Sequence, residues 1–177
     1  MKTKSALFFG SVLAGGLLLA GCGKTDNAAN TAATPPPAAA KAPVAADKPA
    51  TGRAIAITAN DTMKFNVTEL HAKAGEALAV TLTNEGSVPK FSMGHNWVLV
   101  AEDTDLNAFA ADSATAATTE YIPASFNDKV IAATKLLGPK ESDTVLFYAP
   151  KKPGHYPFLC AFPGHMQVGM KGELIVE

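Results

Sequence analysis

The chain has 177 residues, with 15 Lys and Arg against 16 Asp and Glu, a formal net charge of −1 and 47% hydrophobic residues. This length predicts about one globular domain. The chain carries no basic cluster, which argues against nucleic acid as a partner. Its two cysteines, Cys22 and Cys160, lie far apart in regions of very different composition.

The N-terminal region has the pattern of an export signal. Two lysines precede an apolar stretch at residues 6–20 that is too short for a comfortable membrane span, which predicts a signal peptide over residues 1–21. It ends in Leu19-Ala20-Gly21-Cys22, which resembles the bacterial lipobox, so Cys22 is the predicted lipidation site. The alternative is an ordinary cleaved signal in which Cys22 has no role. Gly23 resembles the outer-membrane sorting pattern. We therefore expect a lipid-anchored protein on the periplasmic side of the cell envelope, at the outer membrane.

A linker and one domain follow the signal. Residues 22–52 are rich in Ala, Pro, Thr, Asn and Lys and contain no aromatic residue, so they cannot bury a core and are predicted to be a disordered linker. A flexible chain of this length spans on the order of 30 Å. Residues 53–177 are long enough for a single modest core.

Short strands separated by turns are predicted along this domain, which is the pattern of an all-β sandwich. The Ala-rich residues 105–119 break the rhythm and predict one short helical insertion, capped by Asp103 or Thr104. The nearly continuous apolar stretch at residues 95–101 is expected in the core. The predicted strands are residues 54–58, 63–67, 77–83, 95–101, 130–136, 144–149, 155–160 and 172–176.

One turn-rich run near the C-terminus carries the chemistry. Within eleven residues it places Cys160, His165 and Met170. A copper electron-transfer site uses these side-chain types, as a trigonal His2Cys set with a weak axial thioether. Each residue alone has an ordinary interpretation, as a buried structural Cys, a surface His or a core-filling Met. Their joint spacing favours a metal site, and a lipidated Cys22 would leave Cys160 as the only thiol of the domain, with no internal disulfide.

The second imidazole is predicted to be His95. Gly94 precedes it and allows the backbone to approach the site closely, so the Gly94 carbonyl is a candidate weak contact. Asn96 is expected to hydrogen-bond across to the ligand loop and to fix its geometry, although a turn-closing role is the alternative. Phe162 and its neighbours would keep the sulfur dry.

Two segments now support a resemblance. Met93-Gly94-His95-Asn96-Trp97 and Cys160-Ala161-Phe162-Pro163-Gly164-His165, with Met170-Lys171-Gly172 beyond, resemble the azurin and auracyanin group of blue copper proteins, members of the cupredoxin family. The resemblance runs from residue 55 to the C-terminus, and the lipobox and linker make it that of a lipid-anchored azurin. It implies a Greek-key cupredoxin β-sandwich with one type 1 copper per chain. It also implies His95, Cys160 and His165 as equatorial ligands, with Met170 and the Gly94 carbonyl as weak axial ones.

The chain departs from azurin in three ways. Four residues separate His165 from Met170, whereas azurins usually have three, and Met166 would be a poor substitute because it would need to fold straight back. The azurin disulfide cannot form. Asn84 stands where azurin has a pH-responsive His, so that proton-coupled behaviour is not implied.

The predicted function is electron transfer between Cu(I) and Cu(II) by a monomer, with redox proteins such as cytochromes as partners. Electrons would pass at the edge of His165, through an apolar docking patch. Its predicted members are Met63, Met93, Phe162, Pro163 and Gly164.

Two other function classes compete with this interpretation. An envelope protein that binds or delivers copper without a redox partner would use the same ligands. An enzyme, such as a fragment of a copper nitrite reductase, is not expected, because His71 and His155 are predicted to face solvent. Without them the chain lacks the three histidines of a catalytic copper centre.

Overall fold

The computed structural model describes residues 48–177. The predicted signal peptide, Cys22 and the linker up to residue 47 lie outside the described residues. The strands are β1 Arg53–Ala59, β2 Glu69–Ala72, β3 Ala77–Asn84, β4 Val98–Val100, β5 Val130–Ala133, β6 Ser142–Tyr148, β7 Gly154–Leu159 and β8 Lys171–Val176. The helices are α1 Lys90–Met93 and α2 Leu106–Ser113, and two short 3-10 turns follow at Ala117–Thr119 and Ala124–Phe126.

The strands form two sheets. One has the order β1-β3-β6 and the other has the order β2-β8-β7-β4-β5. Strand β1 is parallel to β3 and β2 is parallel to β8, whereas the remaining pairs are antiparallel. Along β3 every second side chain is buried, because successive side chains of a strand point to opposite faces. The two inner faces pack together, which confirms the predicted all-β sandwich.

The main core lies between the sheets. Trp97 is fully buried, with its ring centroid 5.9 Å from that of Phe147 and 5.6 Å from that of Phe158. Cys160 and Met170 belong to the same cluster, so both of these side chains are part of the main apolar core.

A smaller cluster covers the outer face of β4 and β7. The three residues of β4 are fully buried, as expected for a strand with both faces covered. The buried members of this second cluster are Val98, Val100, Phe109, Ala110, Leu159, Ala161 and Met166.

The predicted helical insertion is present as α2. Its cap, however, is Asp105 rather than Asp103 or Thr104, because Asp105 Oδ1 accepts from the backbone N–H groups of Asn107 at 2.9 Å and Ala108 at 3.1 Å. Phe109 on this helix fills the second cluster. Among residues 48–177, no helix has the length and apolar character needed to cross a membrane.

Several predicted boundaries were wrong. The predicted strand at residues 63–67 is mostly turn, with Met63 at a φ of 55° and only Phe65 bridged to Ala59. Strand β2 was not predicted, since only Leu70 and Ala72 of its four residues face inward.

Candidate metal centre

Strand pairing brings the predicted ligands together. Strands β4 and β7 are antiparallel, with Val98 opposite Leu159, so the chain before β4 and the chain after β7 meet at one end of the sandwich. His95 lies just before β4 and Cys160 just after β7. His165 follows on a turn in which its N–H donates to the Phe162 carbonyl at 3.1 Å, with Gly164 at a φ of 88°.

The three side chains converge on one point. Cys160 Sγ lies 3.4 Å from Nδ1 of His165 and 3.9 Å from Nδ1 of His95, and the three ligand atoms all lie within 4.8 Å of one another. A trigonal ion with bonds of about 2.3 Å to sulfur and about 2.0 Å to nitrogen, the lengths typical of Zn²⁺, would hold sulfur and nitrogen about 3.7 Å apart. The observed separations fit a metal ion between these atoms.

The cluster is buried and electrically neutral before a metal binds. Burial raises the pKa of the Cys160 thiol to about 12, although backbone N–H groups of Asn96 and Phe162 act against this. Burial, reinforced by the nearby His95, lowers the pKa of His165 to about 4. The pKa of His95 is also lowered by burial, although Asp61 and the Asn60 carbonyl oppose the shift. A metal that binds here must therefore displace the thiol proton.

Two imidazoles and one thiolate form the donor set of a copper site. Thiolate is a soft ligand that selects metals such as Cu(I), and imidazole suits copper as well as zinc. Nε2 of His95 is buried without a hydrogen-bond partner among the described residues. No hydrogen bond from this nitrogen therefore offsets the cost of burying the ring. Its Nδ1 faces the thiol instead.

Comparison with known proteins decides the family. The model for "Copper binding proteins, plastocyanin/azurin family" matches residues 53–177. The chain belongs to this family. It is 36% identical to the azurin of Pseudomonas chlororaphis over 124 residues, which is 68% of this chain and 95% of that protein. It is 39% identical to the outer membrane protein H.8 of Neisseria gonorrhoeae over 114 residues, 63% of this chain and 61% of that protein.

Solved structures agree with this assignment. Reduced auracyanin from Roseiflexus castenholzii superposes with a TM-score of 0.62 at 31% identity, covering 70% of this chain and 96% of that one. The protein is thus a cupredoxin of the blue copper type, with one copper ion as its cofactor. Membership in this group makes it a copper-binding electron-transfer protein.

Backbone hydrogen bonds fix the segments that carry the candidate ligands. His95 and Leu137 exchange both bonds of an isolated bridge, at 3.1 and 2.7 Å. The Cys160 N–H donates to the Met170 carbonyl at 3.1 Å, and the Met170 N–H donates to the His165 carbonyl at 3.0 Å. The ligand loop therefore closes on itself before any metal contact is made.

Asn96 and Phe162 both contact the loop that carries Cys160 and His165. Asn96 Oδ1 accepts from the Ala161 N–H at 2.8 Å, a contact between residues 65 positions apart. The Phe162 ring lies 4.7 Å from the His165 ring, centroid to centroid. Both residues therefore restrict the loop that carries Cys160 and His165.

The two methionines of the loop lie in different environments. Met170 is fully buried in the main core together with Cys160, whereas Met166 belongs to the second cluster under α2. Gly94 is buried, and a Cβ there would come within 2.7 Å of the Lys90 carbonyl oxygen and 3.0 Å of Leu136. Only glycine fits this close approach.

The residues of the predicted docking patch differ in exposure. Met63, Met93 and Pro163 are half-buried, Gly164 is exposed, and Phe162 is 9% exposed. The sequence analysis missed Phe91, which is 82% exposed in α1, and Val168 on the ligand loop, which is 49% exposed. The position of Phe91 between Lys90 and Ser92 could have indicated an exposed aromatic residue.

Two further neighbours of the ligands were missed. Glu120 and Tyr121 lie more than twenty positions from either ligand segment, yet the Glu120 carbonyl accepts from Asn96 Nδ2 at 2.9 Å. The Tyr121 ring contacts Phe162 edge-on, with centroids 5.0 Å apart. No local pattern in the sequence marks this contact. His71 and His155, by contrast, are exposed as predicted and pair with glutamates.

Proposed function

We propose that this cupredoxin is an electron carrier tethered to the cell envelope, in which His95, Cys160 and His165 hold copper. The observation that carries the proposal is the convergence of two Nδ1 atoms and one Sγ within 4.8 Å. Copper, when bound, supplies a one-electron couple between Cu(I) and Cu(II). The protein residues supply a buried cage whose loops are already fixed by hydrogen bonds, so little rearrangement accompanies a change of charge.

Met170 and the Gly94 carbonyl complete the proposed ligand set as weak axial donors. Met170 is supported by its full burial beside Cys160 and by the backbone bonds that join it to Cys160 and His165. Met166 packs under α2 instead. Gly94 is supported by its burial directly before His95, where the close approach of Lys90 and Leu136 leaves no room for a side chain.

Asn96 and Phe162 are proposed to set the geometry of the ligand loop. The Asn96 amide links the Ala161 N–H to the Glu120 carbonyl. The backbone N–H groups of Asn96 and Phe162 act on the sulfur in the direction that lowers its pKa, which favours the thiolate. Burial of the site strengthens these interactions and excludes water.

Electrons are proposed to pass at the edge of His165. Met63, Met93, Phe162, Pro163 and Gly164 form the proposed docking patch around it, and the exposed Phe91 extends its apolar surface. A small patch is sufficient, since redox encounters use small and weak interfaces. The partners would be redox proteins such as cytochromes, and the carrier would act as a monomer.

The entry point of the linker suits this role. Strand β1 begins at Arg53 beside Leu78, whereas β3 ends at Asn84, whose Nδ2 donates to the Leu137 carbonyl next to His95. Residue 53 therefore lies at the end of the sandwich opposite the copper ligands. A tether formed by residues 22–52 would leave the His165 edge accessible.

The tether itself is proposed from the signal peptide over residues 1–21 and from lipidation at Cys22. A relative named outer membrane protein H.8 supports envelope association, and we propose the periplasmic side of the outer membrane. Cys22→Ala should release the protein from the membrane fraction, because it removes the acylation site. Retention of the variant in that fraction would argue against lipidation.

The decisive test of the copper site is spectroscopic. Copper-loaded protein should show an intense blue thiolate-to-copper absorption and a type 1 EPR spectrum. A colourless copper complex would refute the proposed ligand set. Zinc in recombinant material would be detected by elemental analysis.

Copper delivery without a redox partner remains the second candidate, because the same ligands would serve it. The two functions differ in kinetics. A carrier should exchange electrons rapidly with a cytochrome and keep its metal, whereas a delivery protein should lose copper to an acceptor. We do not propose an enzyme, and nitrite turnover by the isolated chain would overturn that view.

A further inference from the structure

A strained segment lies against the ligand loop. We define the strap as residues 116–122, which follow α2. Glu120 and Tyr121, adjacent in the strap, have φ values of 55° and 65°. Residues other than glycine avoid this left-handed region because Cβ approaches the following carbonyl, and a bulky residue there is an outlier. Such conformations persist where surrounding contacts determine them.

Hydrogen bonds within the strap hold this conformation. The Tyr121 N–H donates to the Ala116 carbonyl at 2.9 Å, and the Ile122 N–H donates to the Thr119 carbonyl at 2.9 Å. Thr119 Oγ1 also donates to the Ile122 carbonyl at 2.6 Å. Tyr121 in addition packs against both hydrophobic clusters. The strap is thus fixed on the body of the domain.

Two adjacent groups of the strap contact the ligand loop at the same time. The Glu120 carbonyl accepts from Asn96 Nδ2 at 2.9 Å, and Asn96 Oδ1 accepts from the Ala161 N–H. The Tyr121 ring meets Phe162 edge-on at an interplanar angle of 64°. With Glu120 and Tyr121 in the left-handed region, the Glu120 carbonyl and the Tyr121 ring are both directed at the ligand loop.

The contact continues to a copper ligand. The Phe162 ring lies 4.7 Å from the His165 ring at 34°, and the His165 ring lies 4.9 Å from that of His95. Four rings therefore touch in sequence from Tyr121 to His95. The Tyr121 ring thus contacts Phe162, and Phe162 in turn contacts the His165 imidazole.

We infer that Tyr121 is a positioning residue for electron transfer: it clamps Phe162 against His165 and so fixes the imidazole at the edge where electrons pass. This inference rests on the proposed copper carrier. It also gives the left-handed conformation of Glu120 and Tyr121 a role, because this conformation places the Glu120 carbonyl and the Tyr121 ring against the ligand loop at the same time. The ring makes the contact, so the hydroxyl is not required.

The test compares three copper-loaded variants of the full chain. Tyr121→Leu removes the aromatic contact, Tyr121→Phe retains it, and Tyr148→Leu is the matched control at a tyrosine that is 48% exposed on β6. Tyr121→Leu should lower the electron self-exchange rate, measured by NMR line broadening in mixtures of both redox states, by about tenfold, as is typical when a residue supporting a ligand is lost. It should also broaden the copper hyperfine lines in EPR.

Tyr121→Phe and Tyr148→Leu should match the unmodified protein in both measurements. If Tyr121→Leu does not yield folded protein, Tyr121→Met supplies a flexible side chain of suitable size and should show the same losses. Unchanged exchange and hyperfine lines in Tyr121→Leu or Tyr121→Met would overturn the inference, as would losses in Tyr121→Phe equal to those in the leucine variant. A colourless unmodified protein would instead refute the copper site itself.

Discussion

The four histidines of the domain occupy two contrasting regions. His95 and His165 are at most 3% exposed and face a thiol. His71 and His155 lie on the outer face of the β2-β8-β7 sheet, where their ring nitrogens are 3.0 Å from carboxylates of Glu69 and Glu173. His71 and His155 thus each have a carboxylate as a close partner, whereas His95 and His165 have no carboxylate as a hydrogen-bond partner within the described part of the chain.

This difference shows what prepares an imidazole for metal binding. An imidazole must be neutral to act as a ligand, and burial without a hydrogen-bonded carboxylate keeps it neutral by lowering its pKa, although Asp61 opposes this shift at His95. An exposed imidazole beside a carboxylate gains only a weak surface interaction from that neighbour. The same residue type thus lies at the candidate metal centre in one region and pairs with surface glutamates in the other.

Removal of the buried thiol should have the largest effect on this contrast. Cys160→Ser should abolish the blue absorption, because the charge-transfer band needs a thiolate, while circular dichroism should still show a folded sandwich. The matched control is Cys22→Ser, which removes the other thiol of the chain and should keep the colour. Blue Cys160→Ser protein would show that another residue provides the sulfur ligand.

The copper-free protein should lose stability as the pH falls from about 6.5 to about 4. The pKa of His165 is lowered to about 4 in the folded state, so protons bind more readily to the unfolded chain, and stability present above pH 6.5 is lost on acidification. The loss is about 3 kcal/mol from this group, and His95 acts in the same direction. Urea unfolding at pH 7 and pH 4.5 measures most of it.

The control for this pH dependence is copper-free His165→Asn, which has no titrating ring at this position. It should lose distinctly less stability between pH 7 and pH 4.5. The carboxylates of Asp61 and Glu141, whose pKa values are lowered by hydrogen bonds, contribute chiefly below this range. Equal losses in both proteins would show that His165 is not held neutral by burial.

Replacement of the axial donor should have a smaller effect. Met170→Leu should leave copper bound and the colour present but raise the reduction potential, because loss of a thioether disfavours Cu(II) more than Cu(I). Met166→Leu makes the same change four positions earlier, in the cluster under α2, and should leave the potential unchanged in cyclic voltammetry. A shift in the Met166 variant alone would exchange the roles of the two methionines.

Sequence reasoning found the site better than its surroundings. Cys160 and His165 share one short loop, and local spacing was sufficient to predict that their Sγ and Nδ1 atoms lie close together, at 3.4 Å. Convergence of Met170 on the same point stays a prediction. Strand β2 was missed because two inward residues give too little periodicity. The contact of Tyr121 with Phe162 joins residues that are distant in sequence, and it depends on a backbone conformation that neither Glu120 nor Tyr121 favours locally.

The smallest effect is expected on the exposed face. His71→Gln and His155→Gln should change the free energy of unfolding by no more than about 0.5 kcal/mol each, because surface substitutions and exposed ion pairs contribute little. Both variants should keep the blue absorption, since neither ring approaches Cys160. Loss of copper from either variant would mean that these exposed histidines take part in metal binding, and the contrast between the two regions would then fail. Chemical denaturation and one optical spectrum per variant provide the measurement.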